Sequence, residues 1–203
     1  MKVYQIAVGP MQNFSYIVED ESTHEAIIID PSWDLDKIIQ IVEEQNLNPK
    51  YLVNTHWHDD HTRGNEELAK ELSLKIVQHS ESDLKNDMTV SDGDSIKFGC
   101  SELIVYHTPG HSKDSICLVG DGKIFSGDTL FVGNCGRIDL PGGSSRELYH
   151  SIFDVISNLD DSLIMYPGHD YGSAPTSTIG NEKMTNTVMQ KISEEDFVMR
   201  MGG

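Results

Sequence analysis

Between residues 56 and 61 the chain reads His-Trp-His-Asp-Asp-His. His56, His58, Asp60 and His61 are side-chain types that, as a set, bind metal ions and do little else. Imidazoles and a carboxylate packed this closely would repel one another on protonation and are costly to bury unpaired, and a divalent cation removes both penalties. The preceding segment, Tyr51-Leu52-Val53-Asn54-Thr55, reads as a short buried strand, so the polar cluster opens where that strand must end. Strand alternation sends His56 and His58 to the same side, and a turn at Asp59 can bring Asp60 and His61 round to meet them. The bland alternative, a solvated loop rich in histidine, does not account for these ligand types at a strand end.

Three later segments repeat this logic, each a strand ending in glycine and one ligand-type residue. Val105 to Ser112 carries Thr108-Pro109-Gly110-His111, Lys123 to Thr129 carries Ser126-Gly127-Asp128, and Ile164 to Tyr171 carries Pro167-Gly168-His169. Glycine lets backbone pass close to a crowded centre. Taken singly, Asp128 reads as a turn residue and His111 as a surface imidazole. With the first cluster they make seven ligands, enough for two metals that share a carboxylate.

The elements that must position these side chains alternate between strand and helix patterns. Residues 2–8, 14–19 and 25–30 read as an opening meander, with Ile27-Ile28-Ile29 buried on both faces. Leu35, Ile38, Ile39 and Val42 follow the helical period, with Ser32 or Asp34 as cap. A second helix is expected over about 65–72, a strand over 75–78, and β-rich chain from 89 to 131 with turns at Asp92-Gly93 and Asp121-Gly122. Ser144-Ser-Arg-Glu147 is a capping box opening a helix to about 158, with Leu148, Ile152, Val155 and Ile156 as its buried stripe. Leu163 to Tyr166 reads as the last strand.

At 203 residues the chain is expected to form one domain spanning 1–203, with a short C-terminal tail from about 172. The net charge of −18 argues against nucleic acid and against anionic membrane surfaces as partners. No signal segment and no run of membrane-spanning length is seen. Cys100, Cys117 and Cys135 are too few and too scattered for a disulfide framework, so a reduced, cytoplasmic protein is expected.

The succession His-x-His-x-Asp-His, Thr-Pro-Gly-His, Ser-Gly-Asp-Thr and Pro-Gly-His resembles the pattern of the metallo-β-lactamase superfamily. Within it the chain looks like the glyoxalase II branch (hydroxyacylglutathione hydrolases) and the related persulfide dioxygenases, over nearly its whole length. The resemblance implies an α+β fold, an αββα sandwich of two mixed β-sheets flanked by helices, with the site at one edge between the sheets. It also implies that His56, His58 and His111 hold one metal and Asp60, His61 and His169 a second, with Asp128 bridging. Two divalent ions are implied, zinc or iron, with manganese also suited to these donors; a dioxygenase would use a single iron.

Two chemistries follow. The first is hydrolysis of a thioester or related ester or lactone, in which water activated between two cations attacks a metal-polarised carbonyl and Asp60 both ligates and steers it. No Gly-x-Ser-x-Gly elbow supports a serine mechanism. The alternative is oxygenation of glutathione persulfide, with His56, His111 and Asp128 as an iron triad that leaves positions open for dioxygen. Cys135-Gly-Arg-Ile-Asp139 and His169-Asp-Tyr171 lean toward the second. Glyoxalase II enzymes usually follow Cys-Gly-Arg/Lys with an aromatic-containing glutathione grip, and Ile138 to Gly143 stands there instead. Only about 34 residues follow His169, too few for the helical domain of the longer glyoxalase II type.

The substrate expected from this resemblance is a small anionic thiol conjugate. Arg137 can grip a carboxylate in bidentate fashion, or else pair with Asp139. Tyr171 can reach the site as a hydroxyl donor or serve the core, and Cys135 is either a small buried side chain or a reactive thiol. His24, His79, His107 and His150 match no motif and read as structural, as does Trp57, which has no ligand atom. Oligomeric state is left open, a homodimer being one arrangement.

Overall fold

The apolar run Ala26-Ile27-Ile28-Ile29 is fully buried, as a strand without polar alternation must be, and its two faces mark out the layers. Ile27 and Ile29 join a core with Phe14, Val53, Val77, Phe98, Leu103 and Phe125. Ala26 and Ile28 join a separate one with Ile38, Val42 and Leu68. The first core lies between two sheets, and the second lies between one sheet and its helices.

The computed structural model describes residues 1–202. The first sheet holds β1 (Lys2–Val8), β2 (Asn13–Glu19), β3 (Glu25–Ile29), β4 (Asn48–Val53), β5 (Lys75–His79) and β6 (Met88–Val90), in that spatial order. Its first two pairings are antiparallel and the remaining three parallel. Parallel neighbours need a crossover. The helix α1 (Leu35–Glu44) makes one, and α2 (Asp59–Thr62) with α3 (Asn65–Glu71) makes the next. The second sheet runs β7 (Ser95–Phe98), β8 (Ser101–His107), β9 (Ile116–Gly120), β10 (Lys123–Gly127), β11 (Ile164–Pro167) and β12 (Ser177–Thr178). Its one parallel pair is β10 with β11, joined through α4 (Ser145–His150). The fold is therefore the expected α+β sandwich of two mixed sheets flanked by helices.

The boundary expectations hold less well. β4 starts at Asn48 and stops at Val53, so Asn54 and Thr55 already lie in the loop that carries the ligands. Asp34 occupies the N-cap position of α1 without capping it: its backbone is left-handed (φ 52°), and its carboxylate accepts from the Gly9 amide at 3.0 Å. Ser144 Oγ does accept from the Glu147 amide at 3.2 Å, but α4 ends at His150 and continues as a π-turn (Ser151–Val155) and a 3₁₀ turn (Ile156–Asn158). That irregular winding leaves Val155 half-exposed while Leu148, Ile152 and Ile156 stay buried.

The described part of the tail from about 172 carries secondary structure of its own. It forms β12, α5 (Ile179–Thr185) and α6 (Glu194–Met201), capped by Thr178 and Ser193 side chains. Phe197 is buried against Tyr149 and Phe153, and Ile179 joins the same outer core as Leu148 and Met165.

At the opposite edge Asp20 clips the two sheets together. One carboxylate oxygen accepts from the Ser22 and Thr23 amides (2.9 and 3.0 Å), and the other from the Cys100 amide (2.9 Å) and the Ser101 hydroxyl (2.7 Å). Bonds from Ser22 and Ser101 hold its carboxyl well below the usual range.

Candidate metal centre

Each ligand-type residue follows the end of a strand, and the strand ends converge at one edge of the sandwich. His56 and His58 follow β4, Asp60 and His61 sit in α2, His111 follows β8, Asp128 follows β10 and His169 follows β11. The turn expected at Asp59 is thus the first turn of a short helix. Six of the seven side chains meet in two groups: His56, His58 and His111, and Asp60, His61 and His169. Asp128 faces both, with Oδ1 3.4 Å from His61 Nε2 and Oδ2 3.5 Å from His111 Nε2 and 3.3 Å from His169 Nε2.

Close approach requires glycine at two of these strand ends. A Cβ on Gly168 would fall 2.2 Å from Asp128 Oδ1, and one on Gly127, which has φ +49°, would fall 2.6 Å from Thr55 Oγ1.

Hydrogen bonds at the far ring nitrogen decide which lone pairs face the centre. His56 Nδ1 meets Thr55 Oγ1 (3.1 Å), His61 Nδ1 meets Asp30 Oδ2 (3.0 Å), His111 Nδ1 meets the Arg137 carbonyl (2.6 Å) and His169 Nδ1 meets the Met11 carbonyl (2.9 Å). Since each carbonyl or carboxylate accepts, Nδ1 carries the proton there and Nε2 is the free donor atom. His58 differs, presenting Nδ1 to His111 Nε2 at 2.9 Å.

This geometry fits a metal. Two donors on one cation with bonds near 2.0–2.1 Å lie roughly 2.9–3.4 Å apart, depending on coordination angle. His58 Nδ1 to His111 Nε2 is 2.9 Å, His61 Nε2 to His169 Nε2 is 3.2 Å, and His169 Nε2 to Asp60 Oδ2 is 3.4 Å. Moreover His56 Nε2 and Asp128 Oδ1 are buried without a hydrogen-bond partner, a costly state that coordination would relieve.

Asp30, His56 and His61 also cluster, yet Asp30 serves a different purpose. Its oxygens already accept from the Thr55 amide (2.7 Å), the Thr55 hydroxyl (2.6 Å) and His61 Nδ1 (3.0 Å). It orients His61 directly and His56 through Thr55. Asn13 plays the matching part for Asp60, donating from Nδ2 to its backbone oxygen and to Oδ2, both at 3.0 Å. Neither residue was singled out from the sequence. A carboxylate closing a strand buried on both faces, at Asp30-Pro31, was the available signal for the first, and nothing local marks the second.

The two groups differ in charge preference. Burial pushes the His56 imidazole well below its ordinary value, and burial beside His111 brings His58 down to about 4. Burial also opposes charge on His61 and His169, but the Asp128 carboxylate outweighs it. Without a cation between the groups, His61 is raised, and His169 is pushed up to about 10 with help from Asp60, so a metal binding at Nε2 would displace a proton there. Burial would raise Asp128 and Asp60, and the neighbouring imidazoles reverse this and hold both low.

A cavity of about 420 Å³ opens over the centre. His58, Asp60, His111, Asp128 and His169 form its floor, and Met11, Phe131, Asn134, Cys135, Arg137, Leu140 and Tyr171 its walls. The Tyr171 ring stacks on His169 (centroids 4.5 Å apart, planes at 12°) and meets Phe131 edge-on at 5.4 Å, with about half its surface exposed (52%). Arg137 lines the cavity, but its guanidinium is chelated by Asp139 through Nε and Nη2, each 2.5 Å from a carboxylate oxygen. Burial pushes the Cys135 thiol up to about 12, so at neutral pH it is a neutral wall residue. The remaining histidines lie outside: His24 pairs with Glu19 and His150 with Asp154, while His79 and His107 stack on each other. Trp57 packs its ring against His58.

Fold and site together define the class: residues 8–169 match the metallo-β-lactamase superfamily, and the chain belongs to it. It is similar to persulfide dioxygenase ETHE1 (mitochondrial) of Homo sapiens, 35% identical over 193 residues, covering 93% of this chain and 76% of that one. It is also similar to the hydroxyacylglutathione hydrolase of Tolumonas auensis, 35% identical over 172 residues, covering 82% of this chain and 66% of the other. Among solved structures, ETHE1 from Myxococcus xanthus superimposes with a TM-score of 0.94 at 31% identity, over 99% of this chain and 90% of that one. An enzyme of the glyoxalase II and persulfide dioxygenase branch is thereby established. Among the described residues, no helix is long and apolar enough to cross a membrane.

Proposed function

We propose that the chain is a thiol persulfide dioxygenase, the second of the two chemistries considered from the sequence, and that His56, His111 and Asp128 hold its metal. The observation that carries this reading is the near end-to-end superposition on ETHE1 from Myxococcus xanthus, tail included. The hydroxyacylglutathione hydrolase, by contrast, has about a third of its length unmatched. Iron held by two imidazoles and a carboxylate supplies dioxygen chemistry, with positions left for substrate.

The chain's own residues do the rest. Thr55 and the Arg137 carbonyl fix the rings of His56 and His111 so that Nε2 of each faces the centre. Phe131, Tyr171, Met11 and Leu140 shield the cavity from water and give the substrate's carbon frame an apolar wall. Asp60, His61 and His169 lie beside the triad, where they can accept or return a proton as the outer sulfur of the persulfide is oxidised.

Hydrolysis of a thioester stands as the second reading. Its support is the completeness of the Asp60, His61 and His169 group, with Asn13 turning the Asp60 carboxylate inward, which suits a second divalent ion. Metal analysis of the pure protein, paired with oxygen uptake on thiol persulfides and loss of a glutathione thioester, separates the two. One iron per chain with oxygen uptake is expected; two zinc ions with thioester loss and no oxygen uptake would return the hydrolase to first place. His58→Ala is expected to abolish any thioester hydrolysis and leave oxygen uptake partly intact. We place the protein in a reducing cytoplasm, in keeping with its free cysteines.

A further inference from the structure

The loop between β8 and β9 carries His111 and, three residues on, a carboxylate that is only 2% exposed, that of Asp114. Asp114 lies outside the clustered donors and does not line the cavity. Burying a carboxylate is costly unless hydrogen bonds meet it. Burial pushes its carboxyl above the ordinary value, while bonds from the Ser112 hydroxyl, its own amide, the Trp57 amide and the Ser82 hydroxyl favour the charged form.

These partners come from separate segments that surround the first ligand group. Ser112 Oγ, 2.7 Å from Asp114 Oδ1, directly follows His111. The Trp57 amide lies between His56 and His58, and the Trp57 ring packs on His58 with centroids 4.7 Å apart. Ser82, in the loop after β5, has one proton to give and stands between Asp114 and Gln78 Oε1, the latter 3.0 Å away. Gln78 Nε2 in turn donates to Asn54 Oδ1 (2.9 Å), and Asn54 Nδ2 donates to the His61 carbonyl (3.1 Å). Gln78 and Asn54 are buried as well. Since β4 ends at Val53, the ligand loop beyond it takes much of its backbone support from such side chains. A satisfied network of this kind fixes one arrangement of the chain.

We propose that Asp114 is a positioning residue for the first ligand group, fixing the backbone of His56 and His58 against the loop that carries His111. It complements Asp30: one carboxylate orients rings, and the other holds the chain from which rings project. The proposal rests on the reading of His56, His58 and His111 as metal donors, and it is independent of which reaction the loaded enzyme performs.

Co²⁺ is the probe, because its visible absorption reports donor geometry and its affinity can be read by competition with a coloured chelator. Asp114→Asn keeps the side chain's size and removes its charge. It is expected to bind Co²⁺ roughly 10–100-fold more weakly and to shift the visible bands. Ser82→Ala, at a half-exposed position, should weaken Co²⁺ binding by a smaller factor. Asp20→Asn, a buried carboxylate remote from the centre, is the control, and should lower Tm with Co²⁺ affinity unchanged. An Asp114→Asn protein that loses Tm in the same way, with affinity and bands unaltered, overturns the proposal. If that variant does not fold, unaltered Co²⁺ affinity in Ser82→Ala overturns it instead. His111→Ala separates the underlying reading. Undiminished Co²⁺ binding there would sink the donor assignment, whereas loss in His111→Ala without loss in Asp114→Asn sinks the positioning role alone.

Discussion

The floor and the wall of the cavity are built on opposite plans. In the metal centre beneath the floor, His56, His61, His111 and His169 are each buried and fixed through Nδ1 by a partner, so Nε2 has one direction to point. The wall is looser. Tyr171 and Met11 are exposed, and the segment carrying Phe131 and Asn134 is tied down mainly from behind. Asn186 Nδ2 donates to the carbonyls of Phe131 and Asn134 (3.1 Å each), and buried Glu182 accepts from the Gly133 amide (2.8 Å) and from Asn186 (2.8 Å). Both props belong to the tail. On the proposed reading, the contrast separates metal binding, held rigidly by the two sheets, from substrate shape, held by α5 and its C-cap Asn186.

The largest effect is expected on the floor itself. His111→Ala removes a donor from the first group and should eliminate bound metal and activity together, as read by metal analysis and turnover. Asp30→Ala keeps every donor but frees the rings of His56 and His61, and it should lower metal affinity or activity roughly 10–100-fold. If Asp30→Ala changed KM alone, the floor would not be the rigid half.

Asn186→Ala tests the other side. It strips a donor from two backbone carbonyls and from Glu182, so a loss of about 1–3 kcal/mol is expected in denaturant unfolding, with KM rising and metal content unchanged. A fall in metal content matching that of Asp30→Ala would merge the two regions into one.

The smallest effect concerns Asp20, remote from both. Its carboxyl titrates below the usual range in the folded state, so its contribution is complete above the ordinary carboxylate pKa near 4 and is lost as the pH falls. Asp20→Asn should therefore lower Tm at neutral pH, flatten the acid side of the stability profile and leave metal content alone. An unchanged acid limb would show that the clip between sheets carries no stability.

Much of the floor was legible because donor type and strand-end position are local properties. His56, His58, Asp60, His61, His111, Asp128 and His169 all stand where the chain order anticipated strand ends, and they do converge. Asn13 was illegible because its role is defined by Asp60, 47 residues away, and an asparagine opening a strand has no periodicity of its own. The helices within the tail were illegible for a different reason. The helices α5 and α6 have seven and eight residues, too short for a period to speak, and such helices are stable only through packing like that of Phe197 on Tyr149.

By itself the sequence determined the donor set, the order of strands that delivers it and the burial of Ile27 to Ile29 on both faces, because side-chain chemistry and strand alternation need only near neighbours. Tertiary structure alone decided that His61 and His169, 108 residues apart, face each other at 3.2 Å, and that Asp128 spans both groups. It also decided that Arg137 is spent on Asp139 rather than left open. Each of these is a statement about where an atom points once separate strand ends have met, and the directions come from partners the local chain does not contain.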